Sequence, residues 1–236
     1  MSQPCGTFYG VGIGPGDPEL LSLKALRVIR SVACIFVPKA EAKAESFALD
    51  IVSPYVDKAK VHEMVFPMIR DPQRLHEFWR AAAEEMLAHL RRGEDVAFLT
   101  IGDPLTFSTY NYVLEIIRRQ LPEQAIVTIP GITSYNAVAA RASFSLAEGN
   151  ERIAILPVPE GDLSSLCDVL NDFDTIVLMK VAKKLDAVLA MLEEMKLTDR
   201  AVFGSYVGTP KEFVTRDLAS LKGTGRGYMS VIIVRK

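Results

Sequence analysis

Three glycines alternate in the stretch VGIGPGDPEL, at Gly12, Gly14 and Gly16, and Asp17 and Pro18 follow at once. An apolar run precedes them and a helix-like pattern follows, which is the setting of a phosphate-binding turn. The spacing does not suit that chemistry. It is G-x-G-x-G rather than the dinucleotide G-x-G-x-x-G, and it lacks the Lys-Ser/Thr ending of a P-loop. Asp17 puts negative charge near the helix N-terminus where a phosphate would sit, and no basic residue follows before Lys24. A tight turn, with Asp17 as cap and Pro18 opening the helix, accounts for those two residues. It does not account for the glycines, which suggest close backbone approach by a ligand that carries no phosphate.

Two further loops follow apolar, strand-like runs, at the carboxyl ends where α/β folds bind ligands. In TIGDPLTFSTY, Gly102 permits close approach, Asp103 offers an acceptor for hydroxyl or amine groups, and Pro104 stiffens the exit. An ordinary strand-to-helix turn explains the same residues equally well. In PGITSYNAVAA, Gly131 closes a strand and Thr133 or Ser134 can cap the next helix, so capping alone suffices there.

Several chemistries are disfavoured. His62, His76 and His89 do not stand at metal-ligand spacing with one another or with a cysteine, so no metal is expected. No serine lies in a G-x-S-x-G elbow. Cys5, Cys34 and Cys167 are few, odd in number and widely spaced, as expected of reduced thiols in a cytoplasmic protein. The net charge of -2 argues against a nucleic-acid surface. No apolar run approaches the ~20 residues of a membrane span, and MSQPCGTFYG does not read as a signal peptide.

The elements that must position these loops alternate along the 236 residues, 49% of them hydrophobic. FYGVGIG, CIFVP, VHEMVF, VAFLTIGDP and AIVTIPG read as strands, as do RIAILPV, TIVLMKV, AVFGSYV and YMSVIIVRK. Helical patterns lie between them. SLKALRVIRSV sets Leu23, Leu26 and Ile29 on one face behind a Ser22 cap. PQRLHEFWRAAAEEMLAHLRRG carries a stripe from Leu75 through Phe78, Trp79, Ala82 and Met86 to Leu90, with Pro72 in its first turn and Gly93 at its end. YNYVLEIIRRQ, SYNAVAARA and KLDAVLAMLEEM complete the set. This predicts an α/β protein, and a restart of the alternation near Pro122 predicts two domains, 1–121 and 122–236.

Taken together, VGIGPGDPELLSLKALRVI, IGDPLTFSTY, PGITSYNAVAA, VLMK and SYVGTP resemble the tetrapyrrole (corrin and porphyrin) methyltransferases, in order and nearly end to end. The resemblance implies two α/β domains with a cofactor cleft between them, usually as a homodimer. It implies S-adenosylmethionine as cofactor, which has no phosphate. By motif it assigns cofactor binding to Pro15, to Ile101, Gly102 and Asp103 (isoleucine standing where the family has a first glycine), and to Thr106, Thr133, Ser134, Met179 and Gly208. The loops GDPELLSLKA, GDPLTFSTYNYV and PGITSYNAVAA most resemble the branch that methylates carbon 20 of precorrin-2 or of cobalt-factor II.

Such a reaction is in-line displacement at a sulfonium methyl by an electron-rich ring carbon, so it needs orientation and desolvation more than a protein nucleophile. No catalytic residue is assigned. Tyr110, Glu212 and Asp103 are candidates for a base that removes the ring proton. Lys39, Lys43, Arg70 and Arg74 follow strand ends and could meet the carboxylates of the macrocycle, although a solvated surface explains each of them too.

Overall fold

The computed structural model describes residues 5–41 and 46–236, and the chain divides into two compact units, one ending at Thr133 and the other spanning Ser134–Lys236. Lys43 lies outside the described residues.

The first unit is built on an entirely parallel five-stranded sheet. Its strands are β1 (Phe8–Gly12), β2 (Cys34–Lys39), β3 (Val61–Val65), β4 (Val96–Thr100) and β5 (Ile126–Ile129), in the order β3-β2-β4-β1-β5. β1 pairs with β4 on one side and with β5 on the other, from Phe8↔Val96 and Phe8↔Ile126 upward. The domain boundary therefore falls later than the sequence suggested. Pro122 precedes a short turn that feeds β5 into the first sheet, so the alternation does not restart there.

Helices cover both faces, as a parallel sheet requires. Alternate residues of each strand face opposite ways. Phe8, Phe36 and Phe98 pack under α3 (Pro72–Arg91) and α4 (Tyr110–Arg118), while Val11, Ile35, Val37 and Leu99 pack under α1 (Leu23–Ser31) and α2 (Phe47–Val52). Ser22 caps α1 as expected, its hydroxyl accepting from Ala25 N at 3.1 Å. The buried face of α1 is different from the expected one. Ala25, Val28 and Ile29 are buried, and Leu23 stands 86% exposed. α3 starts as expected, with Pro72 behind an Asp71 cap, and buries Ala82, Ala83, Met86, Leu87 and Leu90. Its end is a Schellman turn at Gly93 (φ 79°), with Gly93 N donating to Leu90 O and Glu94 N to His89 O.

The second unit holds a mixed sheet of β6 (Ile153–Pro157), β7 (Thr175–Met179), β8 (Ala201–Ser205), β9 (Phe213–Thr215) and β10 (Ser230–Arg235), ordered β6-β7-β10-β8-β9. Only β6 and β7 pair in parallel; β10 runs antiparallel to β7 and β8, and β9 antiparallel to β8. α5 (Ser134–Ala142) covers one face through Ala137, Val138 and Ala139. α6 (Ser164–Asp172) and α7 (Leu185–Glu194) cover the other. Among the described residues no helix is long and apolar enough to cross a membrane.

One glycine records how closely the first unit is packed. A Cβ on Gly10 in β1 would lie 2.1 Å from the ring of Tyr110, which is wholly buried. Because that ring is enclosed and cannot swing away, we expect Gly10→Ala to cost on the order of 1–3 kcal/mol, as other core overpacking does. Urea unfolding monitored at the single tryptophan, Trp79, checks this; an unchanged midpoint would mean that the ring does move aside.

Candidate functional site

The loops that leave β1, β4 and β5 meet at the carboxyl edge of the first sheet. Gly102 N donates to Gly14 O at 2.7 Å, and both glycines have left-handed φ, 72° and 77°. A Cβ on Gly12 would stand 2.5 Å from Gly131 N and 2.7 Å from Gly102 O, and a Cβ on Gly131 only 2.1 Å from that same carbonyl oxygen. These are impossible separations for a side chain. The glycines are thus needed first for the protein's own backbones to approach one another, and the close approach inferred from sequence has a partner within the chain.

Asp103 ties the loop after β4 to the loop after β5. Its Oδ1 accepts from Leu105 N at 2.9 Å and Thr106 Oγ1 at 3.3 Å, and its Oδ2 accepts from Gly131 N at 3.1 Å. Three of the carboxylate's roughly four acceptor positions are occupied by the chain's own donors. That is the arrangement of a clamp, and it speaks against Asp103 as the base. Asp17 is a cap as expected, accepting from Glu19 N at 2.9 Å, though the element it opens is a short 3-10 turn, Pro18–Leu20, ahead of α1. Pro15 is buried, as are Gly14 and Gly16 beside it, while Ile101 and Thr106 are half-buried. Thr133 is buried and Ser134 half-buried at the start of α5.

Tyr110 is withdrawn as a candidate base. It is wholly buried under β1, its hydroxyl lies 2.7 Å from Thr128 Oγ1, and burial pushes its phenol above the ordinary value. Ser108 is structural too. Its hydroxyl bonds Thr100 Oγ1 at 2.8 Å and accepts from Tyr110 N. What the segment does present is apolar. Leu105 is 57% exposed, Phe107 42% and Ile132 39%, and Phe107 holds an uncommon φ of 52°. Sequence reading passed over these three, although large apolar residues in a polar strand-end loop were a visible signal.

In the second unit, Met179 ends β7 half-buried, with its carbonyl accepting from Val158 N at 2.8 Å. Gly208 sits in a tight turn after β8 at φ 81°, and its N–H donates to Glu212 Oε2 at 2.7 Å. Glu212 also pairs with Arg141 Nε at 3.2 Å, so this candidate base is engaged in holding the turn. Lys180, Tyr206 and Met229 all have positive φ at this edge of the sheet, where β10 begins beside the ends of β7 and β8. Each costs about 1 kcal/mol or more. Strain of that kind tends to gather at functional sites, and backbone φ at such residues is not legible in a sequence.

Of the proposed cations, Lys39 is already paired, with Glu63 of the neighbouring strand at 3.0 Å. Arg70 and Arg74 are exposed. The sequence spacing of the histidines and cysteines gave no sign of a cluster. Cys34, His62 and His89 come together, but at the amino edge of the first sheet, away from the loops above. No disulfide joins the three cysteines.

The model of the family Tetrapyrrole (Corrin/Porphyrin) Methylases matches residues 7–221. The chain is 40% identical over 208 residues to the probable cobalt-precorrin-2 C(20)-methyltransferase of Methanocaldococcus jannaschii, covering 86% of each chain. It is 31% identical over 235 residues to the cobalt-precorrin-2 C(20)-methyltransferase of Salmonella typhimurium, covering 98% of this chain and 97% of that one. In fold it is similar to uroporphyrin-III C-methyltransferase of Thermus thermophilus, solved in complex with S-adenosyl homocysteine, at a TM-score of 0.66 and 22% identity over 98% of both chains.

If Asp103 is a clamp, removing it loosens two loops. Asp103→Ala is expected to cost about 2 kcal/mol, since hydrogen bonds to charged groups carry more than neutral ones. Asp103→Asn, which keeps an oxygen acceptor, should cost about half as much. Thermal unfolding of both variants checks the order, and equal stability of all three proteins would remove the clamp.

Proposed function

The chain belongs to the tetrapyrrole (corrin/porphyrin) methylases, and from that premise we propose that it methylates carbon 20 of a precorrin-2-type tetrapyrrole, using S-adenosylmethionine, in cobalamin biosynthesis. The observation that carries this reading is the 40% identity to a relative named for that reaction, across 86% of both chains. Both relatives described above are named for cobalt-precorrin-2, which favours the cobalt-containing acceptor over the metal-free one.

The residues suit the cofactor. Between 12–17, 101–108 and 130–133 there is no lysine or arginine to seek a phosphate. At the backbone junction Gly12 and Gly131 have no room for a side chain and Gly102 holds a left-handed φ of 72°, so a ligand there meets peptide groups. We assign cofactor contacts to Pro15, Ile101, Gly102, Asp103, Thr106 and Thr133 in the first unit, and to Ser134, Met179 and Gly208 in the second. S-adenosylmethionine, when bound, supplies an electrophilic methyl group on a cationic sulfur.

The chain's own contribution is orientation and exclusion of water. The peptide groups held at the glycine junction, where Gly102 N donates to Gly14 O and Gly131 N to Asp103, present fixed dipoles that need no reorganisation. Leu105, Phe107 and Ile132 offer an apolar rim suited to the face of a macrocycle, and Arg74 offers an exposed cation for its carboxylates. With Tyr110 buried and Asp103 and Glu212 engaged, no side chain of this set is free to act as the base, and the ring proton can leave to solvent. A homodimer located in the cytoplasm forms part of the same proposal.

Two measurements test it. Calorimetry should detect S-adenosylhomocysteine but neither AMP nor NADH, and no binding of S-adenosylhomocysteine would sink the reading. Labelled S-adenosylmethionine, incubated separately with the cobalt and metal-free acceptors, should label carbon 20 of the cobalt form. Label at another ring carbon would refute the branch assignment. In the same assay Tyr110→Phe should keep turnover within about threefold, whereas loss of a general base costs about a hundredfold or more.

A further inference from the structure

The amino edge of the first sheet carries a second cluster of chemistry-bearing groups. Cys34 opens β2, His62 is the second residue of β3, and His89 lies in the last turn of α3. One ligand-capable atom from each lies within 4.8 Å of the others. Cys34 Sγ is 3.1 Å from His89 Nδ1 and 3.9 Å from its Nε2.

Both imidazoles have a carboxylate at Nδ1. Glu85 Oε1 is 3.1 Å from that atom of His62, and Glu94 Oε2 is 2.5 Å from that of His89. A carboxylate at one ring nitrogen holds the proton there, orients the ring and makes the other nitrogen the better donor, which is how metal-bound histidines are supported. A neutral imidazole pair beside a thiol is also the donor set that borderline and soft dications prefer. Tetrahedral zinc, with bonds of about 2.0–2.3 Å, needs donors about 3.3–3.8 Å apart, so side-chain shifts of about one ångström close the trio around an ion.

We propose that Cys34, His62 and His89 form a binding site for a zinc-type dication, with Glu85 and Glu94 orienting the two rings and water taking the fourth position. The site is reachable, because Cys34 is buried while the side chains of His62 and His89 are 34% and 17% exposed. Arg92 also lies within hydrogen-bond distance of His89 Nδ1, at 2.9 Å, and pairs with Glu94 at 3.1 Å; with the Nδ1 proton held by Glu94 the guanidinium keeps only its Glu94 pair, and Nε2 is left for the ion. On binding, the Cys34 S–H bond breaks, a sulfur–metal bond forms, and the proton goes to solvent.

The site is tested on the full chain, stripped of metal and kept reduced, by titration with Co2+ as the optical probe. A thiolate-to-Co2+ charge-transfer band should rise and saturate at one equivalent, and Zn2+ should displace it. Cys34→Ser should abolish the band, while Cys5→Ser and Cys167→Ser retain it. Glu94→Gln should weaken binding by about 10–100-fold. No band, or a band that survives Cys34→Ser, overturns the proposal. Should circular dichroism find Cys34→Ser unfolded, His62→Ala decides: at least a tenfold loss of Co2+ affinity supports the site, and unchanged affinity overturns it.

Discussion

The first unit depends on one close approach, the meeting of the backbones at Gly12, Gly102 and Gly131. No residue with a Cβ fits at Gly12 or Gly131, where the nearest backbone atoms would be 2.5 and 2.1 Å away. This contact requires β1 to lie between β4 and β5, and the register of those pairs delivers all three loops to the same level. Asp103 then holds the junction from beneath, using backbone donors of two loops. A set of peptide groups fixed in this way costs no reorganisation when charge appears beside it, which is what a sulfonium cofactor needs.

Much of this was legible in the sequence, and the limits were physical. The glycine spacing and Asp17 argued against a phosphate turn, and Asp17 is indeed a cap. The partner in the close approach could not be read, because it comes from residues 102 and 131, far along the chain. Leu23 was assigned to the wrong face of α1 because Leu23, Leu26 and Ile29 satisfy helical spacing as well as Ala25, Val28 and Ile29 do, and only the sheet chooses between them. α2 has six residues and β9 three, too few for a period to emerge. Tyr110 looked available because it follows a loop, whereas the absence of a side chain at Gly10 opens a place for its ring in the core.

The second unit illustrates a different limit. Met179 and Gly208 were singled out by motif, whereas the positive-φ backbones at Lys180, Tyr206 and Met229 had no such signal. Positive φ in a lysine, tyrosine or methionine has no signature in composition or period. It arises where β10 enters between β7 and β8 and the chain must turn sharply at all three strands within a few residues. The mixed sheet is what makes this edge crowded, since a parallel arrangement would have sent the incoming strand in from the opposite edge.

The two edges of the parallel sheet end with opposite chemistry, for a reason already present in its topology. Every strand of the first sheet runs the same way, so the carboxyl edge collects the loops that start helices and the amino edge collects the loops that end them. Helix starts favour exposed N–H groups and carboxylate caps, and the carboxyl edge accordingly offers glycine backbone, Asp17 and Asp103. Helix ends favour cations through unsatisfied carbonyls and the macrodipole. The end of α3 brings His89 and Arg92 to that pole, where Cys34 and the carboxylate of Glu94 already stand. A dication bound there would benefit from the same pole, by up to roughly 1 kcal/mol, on the order of 15 Å along the strands from the glycine junction. The two edges thus differ in what they present, glycine backbone with capping carboxylates at one and a thiol with imidazoles at the other.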